Sequence, residues 1–311
     1  MFFLACVGPN RFLCVPVYDL RDSSVTLKSS LIIHTLMLFN VKSQLEQFLA
    51  EDIGSGDITS SLLARKKIQA KIISREQAVV AGARFAKKIF ELNGCKARVL
   101  QKDGTVINPN QTIITMTGDA GTILACERTA LNILARMSGI ATQTRHMKDK
   151  IHGSTKLYAT RKTAPGLRYF DKIAVEIGGG HRHRMRLDEM IMIKDNHIVA
   201  EGSLESLIKK AKKRHRRFEV EVENTEDAVL AASNGAAIIM LDNFTPIQIK
   251  NTIQALKKQK LRDKVTIEAS GRINAANISE FASTGVDIIS AGSITNSVRG
   301  IDMSLEVTHE A

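Results

Sequence analysis

Tryptophan is absent from the 311 residues of the chain, and aromatic residues make up only 5% of it. This scarcity argues against a stacking surface for single-stranded nucleic acid, because such surfaces use exposed aromatic rings. Cysteine is also rare, and the spacing of Cys6, Cys14, Cys95 and Cys126 matches no zinc site, redox motif or disulfide framework. We therefore expect reduced thiols and a cytoplasmic location.

Long apolar runs are missing as well. The two apolar pieces near the start, Phe2–Val7 and Leu31–Leu38, are shorter than the ~20 residues of a membrane-spanning helix. No positively charged segment of a secretory signal follows Met1, so we expect no membrane partner. We interpret Met37 as the native start and residues 1–36 as an extension of uncertain status, from an over-long reading frame.

Acidic residues are too few to balance the basic ones, and the formal net charge is +12. Such a charge suits polyanionic partners, a class that includes nucleic acid, membrane surfaces and phosphorylated metabolites. The most basic run, Lys209–Arg217, lies at the predicted end of a helix. We interpret it as a solvated helix face and expect no nucleic-acid partner. Salt-dependent binding of DNA or RNA by this run is the alternative.

The second half of the chain alternates short apolar runs with helical stretches. Strands are predicted at 156–160, 190–194, 218–223, 237–242, 265–270 and 287–291, and helices at 203–215, 225–234, 246–258 and 275–284. This alternation predicts a parallel sheet, and about six such units favour an α/β barrel. A doubly wound open sheet is the alternative, although the glycine-rich turn of its dinucleotide-binding version is missing.

The first half is less regular. Helical spacing at 41–49, 83–92 and 124–137 and strand-like patterns at 69–74 and 112–117 predict a mixed α/β segment. The third of these helices either ends at the Ser138–Gly139 pair or continues beyond it.

Polar side chains follow the predicted barrel strands, which is where parallel barrels carry their functional groups. These residues are Arg161, Lys162, Lys194, Asp195, Glu221, Glu223, Asp242, Asn243, Glu268, Ser270, Ser290 and Gly292. Taken singly, each is also typical of a surface position where a strand leaves the core. Their occurrence at successive strand ends favours a functional site.

One predicted strand carries Glu219, Glu221 and Glu223 on a single face, because side chains alternate along a strand. Burying three carboxylates is costly unless cations meet them. An edge strand with a wet face is one interpretation. The interpretation that we favour places Glu221 and Asp242 at the barrel mouth, where they hold a metal ion or sugar hydroxyls.

A cation-rich segment is available to oppose these carboxylates. Its members are Arg161, Lys162, Arg168, Lys172, His181, Arg182, His183, Arg184, Arg186 and Lys194. Arginine binds carboxylate or phosphate through two parallel hydrogen bonds, and lysine adds a compact charge. The segment therefore predicts a pocket for a small and highly anionic ligand.

The last two predicted strands end in turns rich in small residues, at 268–272 and 290–295. Small residues let backbone N–H groups approach an anion, and the amino end of a following helix adds favourable potential. Barrels frequently bind phosphate at the loops after their last two strands. We therefore favour a phosphate site here over two ordinary strand-to-helix turns.

These motifs resemble the quinolinate phosphoribosyltransferase family, a type II phosphoribosyltransferase family also called nicotinate-nucleotide pyrophosphorylase (carboxylating). The likeness runs from about Val41 to Thr295. Its most specific part spans 159–197, with Ala-Thr-Arg-Lys-Thr-Ala-Pro-Gly-Leu-Arg at 159–168 and Ile-Lys-Asp-Asn-His at 193–197. Further matches lie at 51–59, 127–132, 178–184, 219–221, 241–244 and 268–271.

The resemblance implies an amino-terminal α/β sandwich domain plus an incomplete parallel α/β barrel. The sandwich would span 37–150, completed by 296–311, and the barrel would span 151–295. The family also implies a homodimer or higher homo-oligomer as the active form, with Arg128 donated across the subunit interface.

The resemblance also assigns the site residues. Those matching the quinolinate-binding positions are Arg128, Arg161, His183, Arg184 and Lys194. Those matching the catalytic positions that serve phosphoribosyl pyrophosphate are Lys162, Glu221 and Asp242, and Mg²⁺ would be held, directly or indirectly, by Glu221 and Asp242. Ser270, Gly271 and Gly292 match the 5′-phosphate site.

The implied reaction joins quinolinate to phosphoribosyl pyrophosphate in NAD biosynthesis, with release of pyrophosphate and carbon dioxide. A paralogous phosphoribosyltransferase acting on another aromatic acid is the nearest alternative. A Schiff-base aldolase with Lys162 or Lys194 as nucleophile is a further one. Arg186 and Arg272 stand where the family usually has glycine, which puts the local geometry there in doubt.

Overall fold

Residues 3–6, 12–15, 41–214 and 217–310 are described by the computed structural model, which separates the chain into two units, 1–54 and 55–311. In the first unit, strands β1 (Phe3–Cys6) and β2 (Phe12–Val15) pair antiparallel. Residues 41–53 form helix α1, so the helix predicted at 41–49 is confirmed and extends by one turn. The predicted start at Met37 lies outside the described residues.

The first sheet of the second unit is antiparallel, with strand order β14-β3-β7-β5. Its strands are β3 (Lys67–Ser74), β5 (Lys96–Val99), β7 (Thr112–Asp119) and β14 (Met303–Glu310). Strand β3 alternates, with Ile68, Ala70 and Ile72 buried, as expected when one face of a sheet covers a core. Helix α2 (Ala83–Leu92), confirmed with its predicted bounds, contacts β5 and β7. Strands β4 (Ala78–Val79) and β6 (Val106–Ile107) form a small separate pair.

Helix α3 (Ala120–Asp149) runs for 30 residues without a break at the Ser138–Gly139 pair. Ser138 Oγ donates to the carbonyl oxygen of Ala81 at 3.2 Å. A Cβ added to Gly139 would lie 2.1 Å from the carbonyl oxygen of Arg299. The pair therefore marks a place where other segments approach the helix closely, and not the end of the helix.

The second sheet is parallel, with strand order β9-β10-β11-β12-β13-β8. Its strands are β8 (Lys156–Tyr158), β9 (Ile191–Ile193), β10 (Phe218–Val222), β11 (Ile238–Asp242), β12 (Thr266–Ser270) and β13 (Ile288–Ser290). From β9 to β13, each strand pairs with the next strand along the chain. The last strand, β13, also pairs with the first, β8. This order wraps the sheet into a barrel, so the doubly wound alternative, whose order reverses at a switch point, is wrong.

The barrel is incomplete, as expected. Among the described residues β8 does not pair with β9, so the ring of strands is not closed. Apart from its pairing with β13, β8 forms only a single parallel bridge there, between Tyr158 and His181. Strand β10 lies between β9 and β11, so the interpretation of this glutamate-rich strand as an edge strand is also wrong.

Helices follow the barrel strands. They are α4 (Arg168–Ile177), α5 (Asp195–Glu201), α6 (Leu204–Arg214), α7 (Thr225–Ser233), α8 (Pro246–Lys258), α9 (Ile278–Ala282) and α10 (Ser293–Asn296). Helix α8 begins where predicted, because Thr245 and Gln248 form a capping box around Pro246. None of the helices in the described part of the chain is long and apolar enough to cross a membrane.

Two helices differ from the sequence-based expectation. Helix α9 starts later than the predicted 275–284, because Asn274 and Asn277 hydrogen-bond backbone amides and hold a turn there. Helix α4 was not predicted, although the buried residues Phe170, Ala174 and Val175 have helical spacing. The many cations in this segment obscured that apolar pattern.

Candidate active site

A cavity with a volume of ≈ 370 Å³ lies at the carboxyl ends of the barrel strands, a size that suits a small-molecule ligand. Most of the predicted site residues line it: Arg161, Lys162, His183, Arg184, Lys194, Glu221, Asp242 and Ser270. Glu268 and Ser290, which were predicted to lie at strand ends without an assigned role, also line it, and the lining residues that were not predicted are Ala159, Thr160, Met192 and Met240. Five of the six barrel strands contribute lining residues, and the segment directly after β8 contributes the rest of that side, so the curved sheet gathers distant segments at one mouth.

Two arginines present guanidinium groups to the cavity. The Nε of Arg161 is buried without a hydrogen-bond partner in the described residues. Arg184 donates from one Nη to the carbonyl oxygen of Met190 at 2.9 Å and from the other to Met192 Sδ at 3.2 Å. Burial and the neighbouring Arg161 lower the pKa of Arg184. An anion between the two arginines would offset this repulsion and supply the missing partner of Arg161.

His183 lies deep on one wall of the cavity, with a side chain that is 8% exposed. Its Nε2 lies 3.4 Å from a carboxylate oxygen of Glu219 and 3.4 Å from one of Glu268. Burial lowers the pKa of His183, but attraction to the two carboxylates outweighs it and raises the pKa to about 9. Its Nδ1 accepts the backbone N–H of Arg184 at 2.8 Å, so protonation of the ring also displaces that amide.

Glu219 and Glu268 are fully buried, and neither carboxylate has a hydrogen-bond partner within the described residues. With His183 they have the composition of a metal site, since one atom from each lies within 4.8 Å of the others. The protonation of His183 argues against a metal ion here. When the Arg184 amide donates to Nδ1, the proton of the neutral ring is on Nε2, and the charged ring also carries a proton there, so in both states Nε2 offers the carboxylates a proton and no lone pair.

Glu221 forms an ion pair with Lys194 at the cavity wall. Burial raises the pKa of Glu221, and the nearby Asp242 adds to this effect, while Lys194 opposes it. The predicted set of cations and the predicted set of carboxylates are therefore in direct contact. Glu223 lies beyond the end of β10, is exposed and does not line the cavity.

The predicted phosphate turns lie beside the cavity. Gly271 has a φ of 95°, and a Cβ there would lie 2.4 Å from Asn243 Oδ1. A Cβ on Gly292 would lie 2.9 Å from Cδ of Lys162. Neither glycine lines the cavity itself, but both permit the close approach of residues that support it. Arg272 has a φ of 53°, in the left-handed region that favours glycine, the residue that the resemblance implies at this position.

Two other predicted positions lie away from the cavity. Arg128 is an exposed residue of α3 and is not part of the lining. Arg186 is exposed and pairs with Asp188 at 3.2 Å and Glu189 at 3.6 Å. The basic run on α6 is also solvent-facing, with Lys209 paired to Glu205 at 2.8 Å.

A support network behind the cavity was not predicted. Asp171 on α4 is fully buried and accepts two hydrogen bonds from Arg136, at 2.8 and 2.9 Å. Arg136 also donates to the carbonyl oxygen of Thr295 at 3.3 Å, and Thr295 Oγ1 donates to that of Lys162 at 2.8 Å. Helix α4 is thereby connected to the segment that carries Lys162. A buried acid inside an apolar helical pattern is the signal that could have revealed it.

Comparison with known proteins agrees with this architecture. Residues 57–138 match the N-terminal domain of quinolinate phosphoribosyl transferase, and residues 140–306 match its C-terminal domain. The chain is 42% identical over 271 residues to a protein of Methanothermobacter thermautotrophicus described as a probable nicotinate-nucleotide pyrophosphorylase (carboxylating), covering 85% of this chain and 97% of that protein.

A second sequence relative and a solved structure agree with this match. The chain is 44% identical over 255 residues to an equally described protein of Archaeoglobus fulgidus, covering 81% of this chain and 98% of that one. The structure of the nicotinate-nucleotide pyrophosphorylase from Francisella tularensis superposes with a TM-score of 0.80 at 37% identity, covering 86% of this chain and 96% of that one. The chain therefore belongs to the quinolinate phosphoribosyl transferase family.

Proposed function

We propose that the chain transfers a phosphoribosyl group from phosphoribosyl pyrophosphate to quinolinate, giving nicotinate mononucleotide, pyrophosphate and carbon dioxide. The observation that carries this proposal is that cations and carboxylates line one cavity at the barrel mouth, where Lys194 is paired with Glu221. A dicarboxylate needs cations to bind it, and a sugar phosphate with its metal ion needs carboxylates, so both kinds of group are required side by side. In this role the chain supplies a pyridine nucleotide for NAD biosynthesis.

The dicarboxylate subsite is formed by Arg161, His183, Arg184 and Lys194. The unpartnered Nε of Arg161 supports this assignment, because a buried donor without an acceptor is costly. On binding, a carboxylate of quinolinate competes with Glu221 for the ammonium of Lys194. Arg128 would complete the subsite from a second subunit, so a homodimer is part of the proposal.

The sugar phosphate subsite is formed by Lys162, Glu221, Asp242 and the turns containing Ser270, Gly271 and Gly292. Carboxylates such as Glu221 and Asp242 are ligands that Mg²⁺ accepts, and each is only partly buried, so the donor set fits this ion. Bound there, magnesium would neutralise charge on the leaving pyrophosphate. Lys162, which also lines the cavity, adds a further positive charge.

In the reaction, the bond from the anomeric carbon to pyrophosphate breaks and a bond to the pyridine nitrogen forms. Positive charge develops on the ribose in a transition state like that of glycosyl transfer. Glu221 and Asp242 stabilise that charge electrostatically. The 2-carboxylate then leaves as carbon dioxide, its bonding electrons remain on the ring carbon, and that carbon takes a proton from solvent. Arg161 and Arg184 hold the ring during this step.

A reducing, cytoplasmic location is also part of the proposal. Cys95 and Cys126 are buried free thiols, and burial raises the pKa of Cys126 to about 12, so that it is not a reactive thiolate.

The direct test is to incubate the protein with quinolinate, phosphoribosyl pyrophosphate and magnesium and to follow nicotinate mononucleotide and carbon dioxide. Nicotinate and other aromatic acids form the comparison panel, because the same cations would also hold a different acid. Turnover of another acid with none of quinolinate would replace the proposed substrate. Borohydride trapping of a carbonyl substrate on Lys162 or Lys194 would instead identify an aldolase.

A further inference from the structure

Lys172 is a buried lysine to which the proposed reaction assigns no role. It lies on α4 with 0% of its surface exposed, and it is not part of the cavity lining. Lysine is rarely buried to this extent without specific partners. The side chain therefore acts on its neighbours, and it does not contact a ligand in the cavity.

The partners of Lys172 are two backbone carbonyls. Its Nζ donates to the carbonyl oxygens of Arg182 and Arg184, the latter at 2.6 Å. These carbonyls flank His183, whose φ of 52° is in the left-handed region that non-glycine residues rarely adopt. An ammonium has three donors and satisfies both carbonyls at once. Lys172 thus holds the bend that His183 forms.

That bend determines where two cavity residues point. From it, His183 reaches Glu219 and Glu268, while Arg184 reaches the carbonyl of Met190 and the sulfur of Met192. Both His183 and Arg184 line the cavity. A change in the bend would move the two side chains together, because they are consecutive residues on either side of one peptide unit.

A charged side chain is unfavourable at position 172. Burial and the nearby Arg168 lower the pKa of Lys172 to about 8; Arg161 and Arg184 add to this effect, and Glu189 opposes it. An apolar side chain of similar length would fill the same space without placing a charge among other cations. The two carbonyl contacts, and not packing, therefore account for a lysine here.

We propose that Lys172 is a positioning residue for the dicarboxylate subsite, which aims His183 and Arg184 by holding the carbonyls of residues 182 and 184. The inference rests on the proposed function, since it concerns how that same subsite recognises quinolinate.

The test compares Lys172→Met, which has similar length and no donor, with Lys172→Gln, which can still donate to a carbonyl. The matched control is Lys148→Met on α3, which removes an exposed lysine whose side chain lies beside Gly179, in the loop that leads to His183. We expect Lys172→Met to raise the KM for quinolinate by about tenfold or more and to leave the KM for phosphoribosyl pyrophosphate within about twofold. Lys172→Gln should lie between Lys172→Met and wild type, and the control should match wild type.

The two KM values separate positioning from general damage. An unchanged KM for quinolinate, or an equal rise in both KM values, overturns the inference. If Lys172→Met does not fold in thermal denaturation, Lys172→Gln decides by the same criterion, and failure of both to fold assigns Lys172 to the fold alone. Wild type is assayed in parallel: absence of turnover there overturns the proposed function itself, whereas an active wild type with unaffected variants overturns only the inference.

Discussion

Lys194 and Glu221 form an ion pair that joins the proposed dicarboxylate subsite to the proposed sugar phosphate subsite. Each is therefore the main charged partner of the other before a ligand binds. Quinolinate and magnesium would compete for the two ends of this pair, so occupation of one subsite frees a charge for the other.

This pairing predicts that the two residues act non-additively. We expect the loss of kcat/KM in the Lys194→Met, Glu221→Gln double variant to be smaller than the sum of the single losses, with a coupling of about 0.5–3 kcal/mol. Steady-state kinetics of the four proteins measures this coupling. Lys194→Met combined with the remote Glu306→Gln serves as the control and should show additive losses. Additive losses in the Lys194–Glu221 cycle would mean that the ion pair has no part in turnover.

Loss of a cavity cation should nearly abolish turnover. Removing one charge from a buried set of ionic contacts costs about 3–5 kcal/mol, which corresponds to a reduction of roughly 150- to 5000-fold in kcat/KM for Arg161→Ala or Lys194→Ala. Arg161→Lys keeps the charge but loses two-point hydrogen bonding, so its kcat/KM should be intermediate. Wild-type kinetics with quinolinate in either alanine variant would contradict the site assignment.

The cluster around His183 predicts a pH-dependent stability. Because the folded state raises the pKa of His183 from 6.5 to about 9, its stabilisation is fully present below pH 6.5. It declines as the pH rises from 6.5 to 9, by on the order of 3 kcal/mol at most. Lys172, with a pKa lowered to about 8, acts in the opposite direction above pH 8.

Because these two pH effects overlap, the contribution of His183 is measured as the difference in free energy of unfolding between wild type and a variant without the histidine. Urea unfolding of wild type and His183→Gln between pH 6 and 9.5 gives two stability curves, and their difference isolates the histidine. We expect wild type to lose its advantage over that range. A constant difference would show that the Arg184 amide keeps the ring neutral in the folded protein.

Arg272 offers a stabilising substitution. Its φ of 53° is unfavourable for a side chain but not for glycine, so Arg272→Gly should raise the free energy of unfolding by about 1 kcal/mol. Arg186→Gly is the matched control, because Arg186 also stands at a usual glycine position but is not among the residues with positive φ. Denaturant titration should show a gain for the first variant only. A stability loss in Arg272→Gly would mean that the arginine makes a compensating contact.

The proposed sharing of Arg128 predicts recovery of activity by subunit mixing. Arg128→Ala and Arg161→Ala homodimers should each be inactive. In a mixed dimer one site has both defects and the other has neither, so unfolding and refolding the two variants together should restore activity. No recovery despite formation of mixed dimers, detected by mass spectrometry, would refute donation of Arg128 across the interface.

Much of the barrel could be predicted from the sequence because short apolar runs that end in polar residues and alternate with helical stretches are typical of parallel strands. The six strands, and the clustering of Arg161, Lys194, Glu221 and Asp242, follow from that pattern and from the meeting of parallel strand ends. The support behind the site could not be predicted. The contacts of Lys172 are to backbone carbonyls, which leave no trace in residue types.

The cluster of His183 with Glu219 and Glu268 was missed for a related reason. Its members come from three separate segments. The left-handed bend that turns His183 toward the carboxylates is formed by the histidine itself, whereas a glycine there would have predicted such a bend from the sequence. The length of α3 was also ambiguous, since Ser138–Gly139 resembles a helix end until the approach of Arg299 is known.

The pairing of β14 with β3 has a consequence for synthesis of the protein. The ion pair between Arg75 and Glu306 that accompanies this pairing joins residues 231 positions apart. When translation has reached residue 302, every barrel strand has been synthesised, but β3 still has an open edge because its partner β14 has not. The antiparallel sheet is thus begun first and completed last, and its unfinished edge is exposed throughout translation of the barrel.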